Sequence, residues 1–266
     1  MPRFPPHPER RPALVTGASS GIGAATAVAL AAAGHPVVLG ARRLDRCAEV
    51  AGRINADGGE AIVIGVDLTD GDSVSAFCAE AISRMDGIEV LVSNAGDVQP
   101  ISADAHPLDF LQQTTINLLA PQRLVHHLMG PMVERQRGDV IFVTSEVALS
   151  PRPHMAGYVA AKAGLENLAH AMRMELEGTG VRVGIVRPGP AATEQGATWD
   201  LDKATVALQA WERFGLVRHA GTMLPAHVAS AVVAMVSVPR GSQFAVLEVQ
   251  PEAPINSFRS HVGDHQ

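Results

Sequence analysis

The chain has 266 residues, of which 47% are apolar and 18% are charged. This composition predicts a folded protein with a sizeable core and excludes a largely disordered chain. The net charge of −6 is spread along the chain without a basic stripe, which argues against a nucleic-acid partner. The cysteines Cys47 and Cys78 and the scattered histidines show no metal-type spacing, so we expect free thiols and no metal site.

Residues 1–11 are rich in proline and arginine, and no apolar run follows them. They predict a short flexible lead-in and do not have the pattern of a signal peptide. The apolar stretches are too short or too interrupted to span a bilayer, so we expect a cytoplasmic protein without a membrane partner. The main domain is predicted over 12–250, and 251–266 are interpreted as a C-terminal tail.

Runs of Val, Ile and Leu alternate with helical patterns along the chain, and the longest helical pattern covers about 106–135. The runs are continuous and not alternating, as is typical of strands that are covered on both faces. Repeated strand–helix units predict an α/β fold, namely a single-domain Rossmann-like doubly wound parallel sheet of about seven strands. The predicted strands are 13–17, 36–41, 60–68, 88–96, 138–145, 180–189 and 242–249.

The first strand leads into a glycine-rich loop, TGASSGIG, over 16–23. Glycines permit a tight turn and a close approach of the backbone, and the helix that follows offers unpaired N–H groups to a pyrophosphate. The loop therefore predicts a dinucleotide site. Its candidate cofactor-binding residues are Gly17, Ser19, Ser20, Gly21, Ile22 and Gly23.

The end of the second strand indicates which dinucleotide is bound. Sites that prefer NAD place an acid there for the ribose hydroxyl, whereas a 2′-phosphate requires arginine. This chain has Ala41 at that point, followed by Arg42 and Arg43. We therefore expect NADP, with NAD as the alternative cofactor. The pattern also allows the two arginines to be solvent-facing residues that open a helix.

Polar residues end the third and fourth strands. Asp67, followed by Leu68, lies where the adenine of a bound cofactor is expected, although Asp67 also has the pattern of a helix cap. Asn94, Ala95 and Gly96 form either a plain turn or a turn that supports the cofactor.

Tyr158 is the only tyrosine, and Lys162 is one of only two lysines. They are four residues apart in a helical stretch, so they share one helix face. A phenol titrates near pH 10, and a nearby ammonium lowers that pKa towards the range of a general base. Ser145 closes the fifth strand on the ligand side of the sheet. Asn117 lies inside an apolar helix, where its amide needs a partner; we expect it to hold a water beside the lysine.

The segment of about 190–225 follows the sixth strand and has no strand pattern of its own. Ligands of open α/β sheets bind beyond the carboxyl ends of the strands, so this position predicts a substrate lid. Trp199, Trp211 and Phe214 lie in it and favour an apolar substrate. The pattern leaves open that these aromatics only pack a surface helix.

This ordered set of motifs resembles the short-chain dehydrogenase/reductase (SDR) family of the classical type over about residues 12–250. The resemblance implies a catalytic tetrad of Asn117, Ser145, Tyr158 and Lys162, in which tyrosine exchanges a proton with the substrate and serine orients it. It implies that lysine holds the nicotinamide ribose and lowers the tyrosine pKa, while asparagine keeps a relay water. Pro188, Gly189 and Thr193 are implied to position the carboxamide. A homotetramer or homodimer is implied as well.

Glu146 departs from the family pattern, which has a small or apolar residue beside the serine. We interpret it as a surface charge, with a place facing the substrate as the alternative. His154 is interpreted as structural, with the substrate entrance as its alternative. The predicted activity is an NAD(P)-dependent interconversion of an alcohol and a ketone or aldehyde. A catalytically silent NADP-binding sensor or scaffold, or an epimerase or dehydratase of the same family, remain the alternatives.

Overall fold

A computed structural model describes residues 4–196 and 199–255. Parts of the predicted lead-in (1–3), lid (197–198) and tail (256–266) lie outside these residues. In the described ranges, no helix is both long enough and apolar enough to cross a membrane.

Seven strands in the described residues form one parallel sheet in the order β3-β2-β1-β4-β5-β6-β7. The order reverses beside β1, so the crevice for a ligand opens between β1 and β4. The strands are β1 Ala13–Thr16, β2 Val37–Ala41, β3 Ala61–Gly65, β4 Val90–Ser93, β5 Gly138–Val143, β6 Val181–Pro188 and β7 Val246–Val249. This confirms the predicted doubly wound fold, although several strands are shorter than predicted. The Asp67 side chain bonds Thr69 and the Asn94 side chain bonds the end of β1, beyond the ends of β3 and β4.

Helices cover both faces of the sheet. They are α1 Gly21–Ala32, α2 Leu44–Ala56, α3 Gly71–Met85, α4 Pro107–Thr114, α5 Ala120–Glu134, α6 Ala156–Glu175, α7 Leu201–Arg213 and α8 Pro225–Ser237. A π-helical turn, Thr115–Leu119, joins α4 to α5, and a 3₁₀ turn, Glu146–Ala148, follows β5.

Two apolar cores lie on opposite faces of the sheet. On one face Leu14 and Phe142 pack with α3, α5 and α6. On the other face the neighbouring residues Val15 and Ile141 pack with α1, α2 and α8. Successive strand side chains point to opposite faces, so burial on both faces explains the continuous apolar runs.

The last residues of the predicted lead-in contact the amino-terminal edge of the sheet. Arg11 is buried and pairs with Asp139 of β5, and a ring nitrogen of His7 lies 3.0 Å from the carbonyl oxygen of Val238. Arg10 pairs with Glu60 at 2.9 Å. The flexibility of the lead-in stays a prediction, but these contacts tie its end to the strands.

Candidate active site

A cleft of about 560 Å³ runs along the carboxyl ends of the strands. The glycine-rich loop lies at one end of it and two tryptophans at the other. Gly23 and Asn117 do not line the cleft; they lie behind its wall. The predicted site residues that line it are Gly17, Ser19, Ser20, Gly21, Ile22, Arg42, Arg43, Asp67, Leu68, Asn94, Ala95, Gly96, Ser145, Tyr158, Lys162, Pro188, Gly189 and Thr193.

The glycine-rich loop is held by the ends of β1 and β4. Gly17 has a left-handed φ of 69° and sits so close to Ala95 that a Cβ there would lie 2.9 Å from its Cα. The Asn94 amide donates to the carbonyl oxygen of Thr16 at 2.9 Å. The Asn94 turn therefore fixes the loop beside the switch point of the sheet.

The amino terminus of α1 opens into the cleft. Ser20 is its N-cap residue, and in the described part of the chain it makes no side-chain capping bond. The hydroxyls of Ser19 and Ser20 instead accept hydrogen bonds from Arg43, at 3.0 and 2.7 Å from Nη2. The first N–H groups of α1 thus remain available to an anion.

Arg43 also pairs with Glu194 at 2.9 Å, and Arg46 pairs with the same carboxylate at 2.7 Å. The three side chains are 42–55% exposed. The arginines lower the pKa of the Glu194 carboxyl through hydrogen bonds and charge. Arg46 and Glu194 were not among the predicted site residues. Arg46 falls one helical turn after the predicted pair, whereas Glu194 lies 151 residues from Arg43 and has no recognisable motif around it.

Asp67 does not cap α3; Asp70 does, by accepting from the backbone N–H of Asp72 at 2.9 Å. The Asp67 carboxylate accepts from the backbone and hydroxyl of Thr69 at 2.9 and 2.8 Å. These bonds, with a smaller contribution from Arg42, lower the pKa of Asp67. The capping interpretation is therefore wrong, and Asp67 lies at the cleft as a fixed anion.

Tyr158 and Lys162 lie on the inner face of α6, as the four-residue spacing predicts, and both are buried. Burial raises the pKa of Tyr158 to about 12, while a hydrogen bond with Ser145 opposes the rise. The lowering of the tyrosine pKa by lysine that the spacing predicted is not found; the ammonium Nζ lies over the ring face, 5.5 Å from the ring centroid. Desolvation therefore outweighs every favourable contact of the phenolate.

Lys162 is held by the end of β5. Its Nζ donates to the carbonyl oxygen of Val143 at 2.9 Å. Burial lowers its pKa to about 8, and the Glu166 carboxylate one helical turn away opposes that shift.

Asn117 lies in the π-helical turn, which explains a polar residue within an apolar helix. Its amide donates to the carbonyl oxygens of Asp97 and Gln113 at 2.7 and 2.9 Å, and its own oxygen accepts from the backbone of Asp97 at 3.3 Å. A Cβ on Gly96 would lie 2.8 Å from that oxygen. The amide thus anchors the loop after β4, and its role in holding a water stays a prediction.

A buried carboxylate that the sequence analysis missed lies behind the site. Glu166 accepts from the hydroxyl of Thr144 at 2.7 Å and from two nitrogens of Arg187 at 2.9 and 2.7 Å. Thr144 precedes Ser145, Glu166 follows Lys162 on α6, and Arg187 precedes Pro188. One carboxylate thus joins the three elements that carry the predicted site. A glutamate in a helical pattern is usually exposed, so no local pattern indicates the buried position of Glu166.

After β6 the chain stays close to the cleft. Gly189 donates its N–H to the carbonyl oxygen of Val249 at 2.8 Å. A Cβ on Gly21 would lie 3.3 Å from the Thr193 side chain. The segment after Pro188 thus faces the glycine-rich loop across the cleft.

Part of the segment that is predicted to be a lid lines the other end of the cleft. Trp199 donates to the carbonyl oxygen of Val98 at 2.7 Å, and Trp211 donates to that of Pro153 at 2.8 Å. The two rings meet edge to face with centroids 6.1 Å apart, and both line the cleft. Phe214 is 62% exposed and belongs to the surface. The tryptophans therefore form a wall of the site, and the surface-helix alternative holds only for Phe214.

Glu146 also lines the cleft, so its interpretation as a surface charge is wrong. Its carboxylate pairs with Arg152, which the sequence analysis did not single out.

His154 has a left-handed φ of 60° and does not line the cleft; it lies in the adjoining surface hollow with Pro151 and Val159.

Comparison with known proteins gives one consistent result. Residues 11–204 match a family model described as short chain dehydrogenase. A short chain dehydrogenase of Pseudocercospora fijiensis is 34% identical over 201 residues, which cover 74% of this chain and 65% of that protein. The chain thus spans slightly less than two thirds of that relative. A 3-oxoacyl-[acyl-carrier-protein] reductase of Synechocystis sp. is 35% identical over 68% of this chain and 74% of its own length.

Solved structures of similar fold lead to the same family. An alcohol dehydrogenase from the archaeon Thermococcus sibiricus, solved in complex with 5-hydroxy-NADP, superposes with a TM-score of 0.79 and 26% identity. The match covers 92% of this chain and 99% of that one.

Proposed function

The chain belongs to the short chain dehydrogenase family, and from that membership and the geometry of the cleft we propose an NADP(H)-preferring oxidoreductase. It interconverts an alcohol and a ketone or aldehyde, with Tyr158 as the general acid or base. The observation that carries the proposal is the convergence of Ser145, Tyr158 and Lys162 on one cleft that continues to the glycine-rich loop.

The residues at the loop end fit a dinucleotide phosphate. The open amino terminus of α1 and the hydroxyls of Ser19 and Ser20 supply neutral donors for a pyrophosphate. Asp67 and Leu68 border the place for the adenine, and Pro188, Gly189 and Thr193 border that for the carboxamide. When bound, the nicotinamide cofactor supplies the hydride in reduction or takes it up in oxidation.

The preference for NADP rests on charge. Arg42 and Arg43 follow β2, and Ala41 stands where an acid would repel a 2′-phosphate. Arg43 and Arg46 already hold the carboxylate of Glu194, so they are oriented towards an anion. A phosphate dianion would bind the same fork of donors more strongly than one carboxylate does.

Tyr158 is suited to donate a proton. With a pKa of about 12, its phenol is protonated at neutral pH. In reduction, the O–H bond of Tyr158 breaks, the proton passes to the carbonyl oxygen, and Ser145 holds that oxygen by a hydrogen bond. Oxidation requires the phenolate, so we expect reduction to be favoured at neutral pH and oxidation to rise as the solution becomes more alkaline.

Lys162 holds a positive charge beside the reacting phenol. One of its N–H groups donates to Val143, which leaves two others that can bind a ribose hydroxyl. Asn117 fixes the loop that borders this corner.

The substrate end is mainly apolar. Val98, Val147, Met155 and Trp211 form one buried cluster with Tyr158. Such walls exclude water from the reacting carbonyl and favour a substrate with an apolar body.

Oligomerisation and a cytoplasmic location belong to the same proposal. Leu108 and Leu111 of α4 and Met174 of α6 are between 53% and 76% exposed. Exposed large apolar side chains on these two helices support a subunit interface, as a homodimer or homotetramer.

The test is oxidation of NADPH and, separately, of NADH against a panel of ketones, for the wild type and Tyr158→Phe. We expect turnover with NADPH to fall by about 100- to 10,000-fold in the variant because the proton donor is lost. Binding of NADPH and the melting temperature serve as controls and should persist.

Equal turnover in Tyr158→Phe would contradict the mechanism. Tight binding of NADPH without turnover of any carbonyl would favour the alternative of a silent sensor. Faster turnover with NADH would contradict the cofactor preference.

A further inference from the structure

Glu146 and Arg152 form an ion pair within the wall of the substrate end. Glu146 directly follows Ser145, and Arg152 lies on the loop before α6. Their side chains are 17% and 15% exposed, and both line the cleft. An ion pair therefore stands beside the residue that is proposed to hold the reacting oxygen.

The surroundings of the pair are apolar. The guanidinium carbon of Arg152 lies 5.0 Å from the centroid of the Trp211 ring. Val147 and Met155 are buried nearby in the chain and belong to the apolar cluster with Trp211. In such surroundings an unpaired charge is costly, whereas a pair with no net charge is tolerated.

The loop before α6, which carries Arg152, has other contacts with the segment after β6 besides this ion pair. Trp211 donates to the carbonyl oxygen of Pro153 at 2.8 Å, and the apolar cluster packs against the same loop. Within the part of the chain that the structure describes, the pair makes one bond, from Nη2 of Arg152 to Oε1 of Glu146. Three polar groups of the pair have no protein partner in that part of the chain: Oε2 of Glu146 and the Nε and Nη1 groups of Arg152. None of the three is a buried atom left without a hydrogen bond, so solvent can reach them. Donors and an acceptor thus remain accessible side by side.

We propose that Glu146 and Arg152 form a subsite for a hydroxyl group that an otherwise apolar ketone carries at a carbon other than the reacting one. The inference rests on the proposed reductase activity. A hydroxyl donates one hydrogen bond and accepts others, so it can bind the Glu146 carboxylate and the Arg152 guanidinium together. A substrate carboxylate or ammonium would gain no net attraction from the pair, because repulsion by one member offsets attraction to the other, and the loss of its hydration in these surroundings would not be offset. The natural substrate is accordingly a hydroxy ketone or a diol of net charge zero.

The experiment measures kcat/KM with NADPH for cyclohexanone, for the three positional isomers of hydroxycyclohexanone, and for a cyclohexanone that carries a carboxylate. We expect the best hydroxylated isomer to exceed cyclohexanone by about tenfold, since one hydrogen bond to a charged group contributes about that factor. The carboxylate ketone should be the poorest of the set.

Glu146→Ala, Arg152→Ala and the double variant should each bring the ratio of hydroxylated to plain ketone close to one. The matched control is Glu80→Ala with Arg84→Ala, an exposed pair on α3 with the same two residue types. That variant should keep the wild-type ratio.

Equal kcat/KM for the plain and hydroxylated ketones in the wild type would overturn the subsite alone, as would a preference for the carboxylate. A ratio that survives in the double variant would also overturn it. Absence of turnover with every ketone would overturn the proposed reductase activity, and the subsite with it.

Discussion

The two ends of the cleft use ion pairs in opposite ways. At the cofactor end, Arg43 and Arg46 hold Glu194 with side chains that are 42–55% exposed. Behind the end that carries Tyr158 and Lys162, Glu166 and Arg187 form a pair with side chains only 4% and 9% exposed. Both arrangements are arginine–carboxylate contacts of similar length, at 2.7–2.9 Å.

Exposure decides what each arrangement can do. Water and salt compensate the charges of an exposed pair, so its partners exchange easily with a ligand. A buried pair cannot lose one partner without leaving a charge in apolar surroundings. The molecule therefore places an exchangeable contact where we propose that a phosphate binds, and a fixed one where Ser145 and Lys162 must keep their positions.

The largest effect should come from breaking the buried pair. Glu166→Gln keeps the shape of the side chain but removes the charge that faces Arg187, so we expect a loss of about 3 kcal/mol in the free energy of unfolding. Chemical denaturation measures it. Glu248→Gln is the matched control, because Glu248 pairs with the same arginine but is 45% exposed; it should cost less than about 1 kcal/mol. Equal costs would remove the distinction between the two pairs.

A second effect concerns the buried lysine and depends on pH. Lys162 has a pKa near 8 in the folded protein and about 10.4 in an unfolded chain. At a pH between these two values, the lysine binds a proton more often in the unfolded chain than in the folded one. This lysine therefore makes the folded state more stable as pH rises. Lys162→Met lacks this dependence. We expect the stability of the variant relative to the wild type to fall by about 2 kcal/mol between pH 7 and pH 9.5.

Chemical denaturation of the wild type and Lys162→Met at the two pH values measures the difference in stability between them. The contributions of the other titrating groups are the same in both proteins and cancel in this difference. A difference that does not change with pH would mean that Lys162 keeps an ordinary pKa. Such a result would also weaken the view that the end that carries Tyr158 and Lys162 is desolvated.

The smallest effect should come from the exposed cluster. Glu194→Gln frees Arg43 and Arg46 from their carboxylate partner, so we expect the Kd for NADPH to fall by about threefold. The Kd for NADH should stay the same, because NADH lacks the 2′-phosphate and serves as the internal control. Titration calorimetry with both cofactors measures the ratio. Equal changes for the two cofactors would show that Glu194 acts on the loop and not through the phosphate.

The fold and most of the candidate cleft could be predicted from the sequence. The apolar runs of β1, β4 and β5 are local signals, because burial on both faces is recorded in consecutive residues. The Tyr158–Lys162 spacing is a local signal as well, since a helix brings residues four apart to one face. Cofactor-loop glycines are recognisable because few other residues tolerate the backbone of Gly17.

Other features depended on residues far apart in the chain. Glu194 reaches Arg43 across 151 positions, and Arg187 reaches Glu166 across 21. A surface position is the prediction for Glu146, with the substrate side as the alternative, whereas the structure places it in the cleft beside Arg152, which lies over the Trp211 ring.

The sequence by itself thus determined the sheet, the glycine-rich loop and the face of α6 that carries Tyr158 and Lys162, because each follows from periodicity or spacing within one segment. Only the tertiary structure decided the protonation states and the ion pairs. The pKa of Tyr158 rises where the spacing with lysine predicted a fall, since desolvation depends on every neighbour that excludes water. Spacing along a helix determines which side chains are adjacent, whereas the packing of distant elements determines how much solvent they retain.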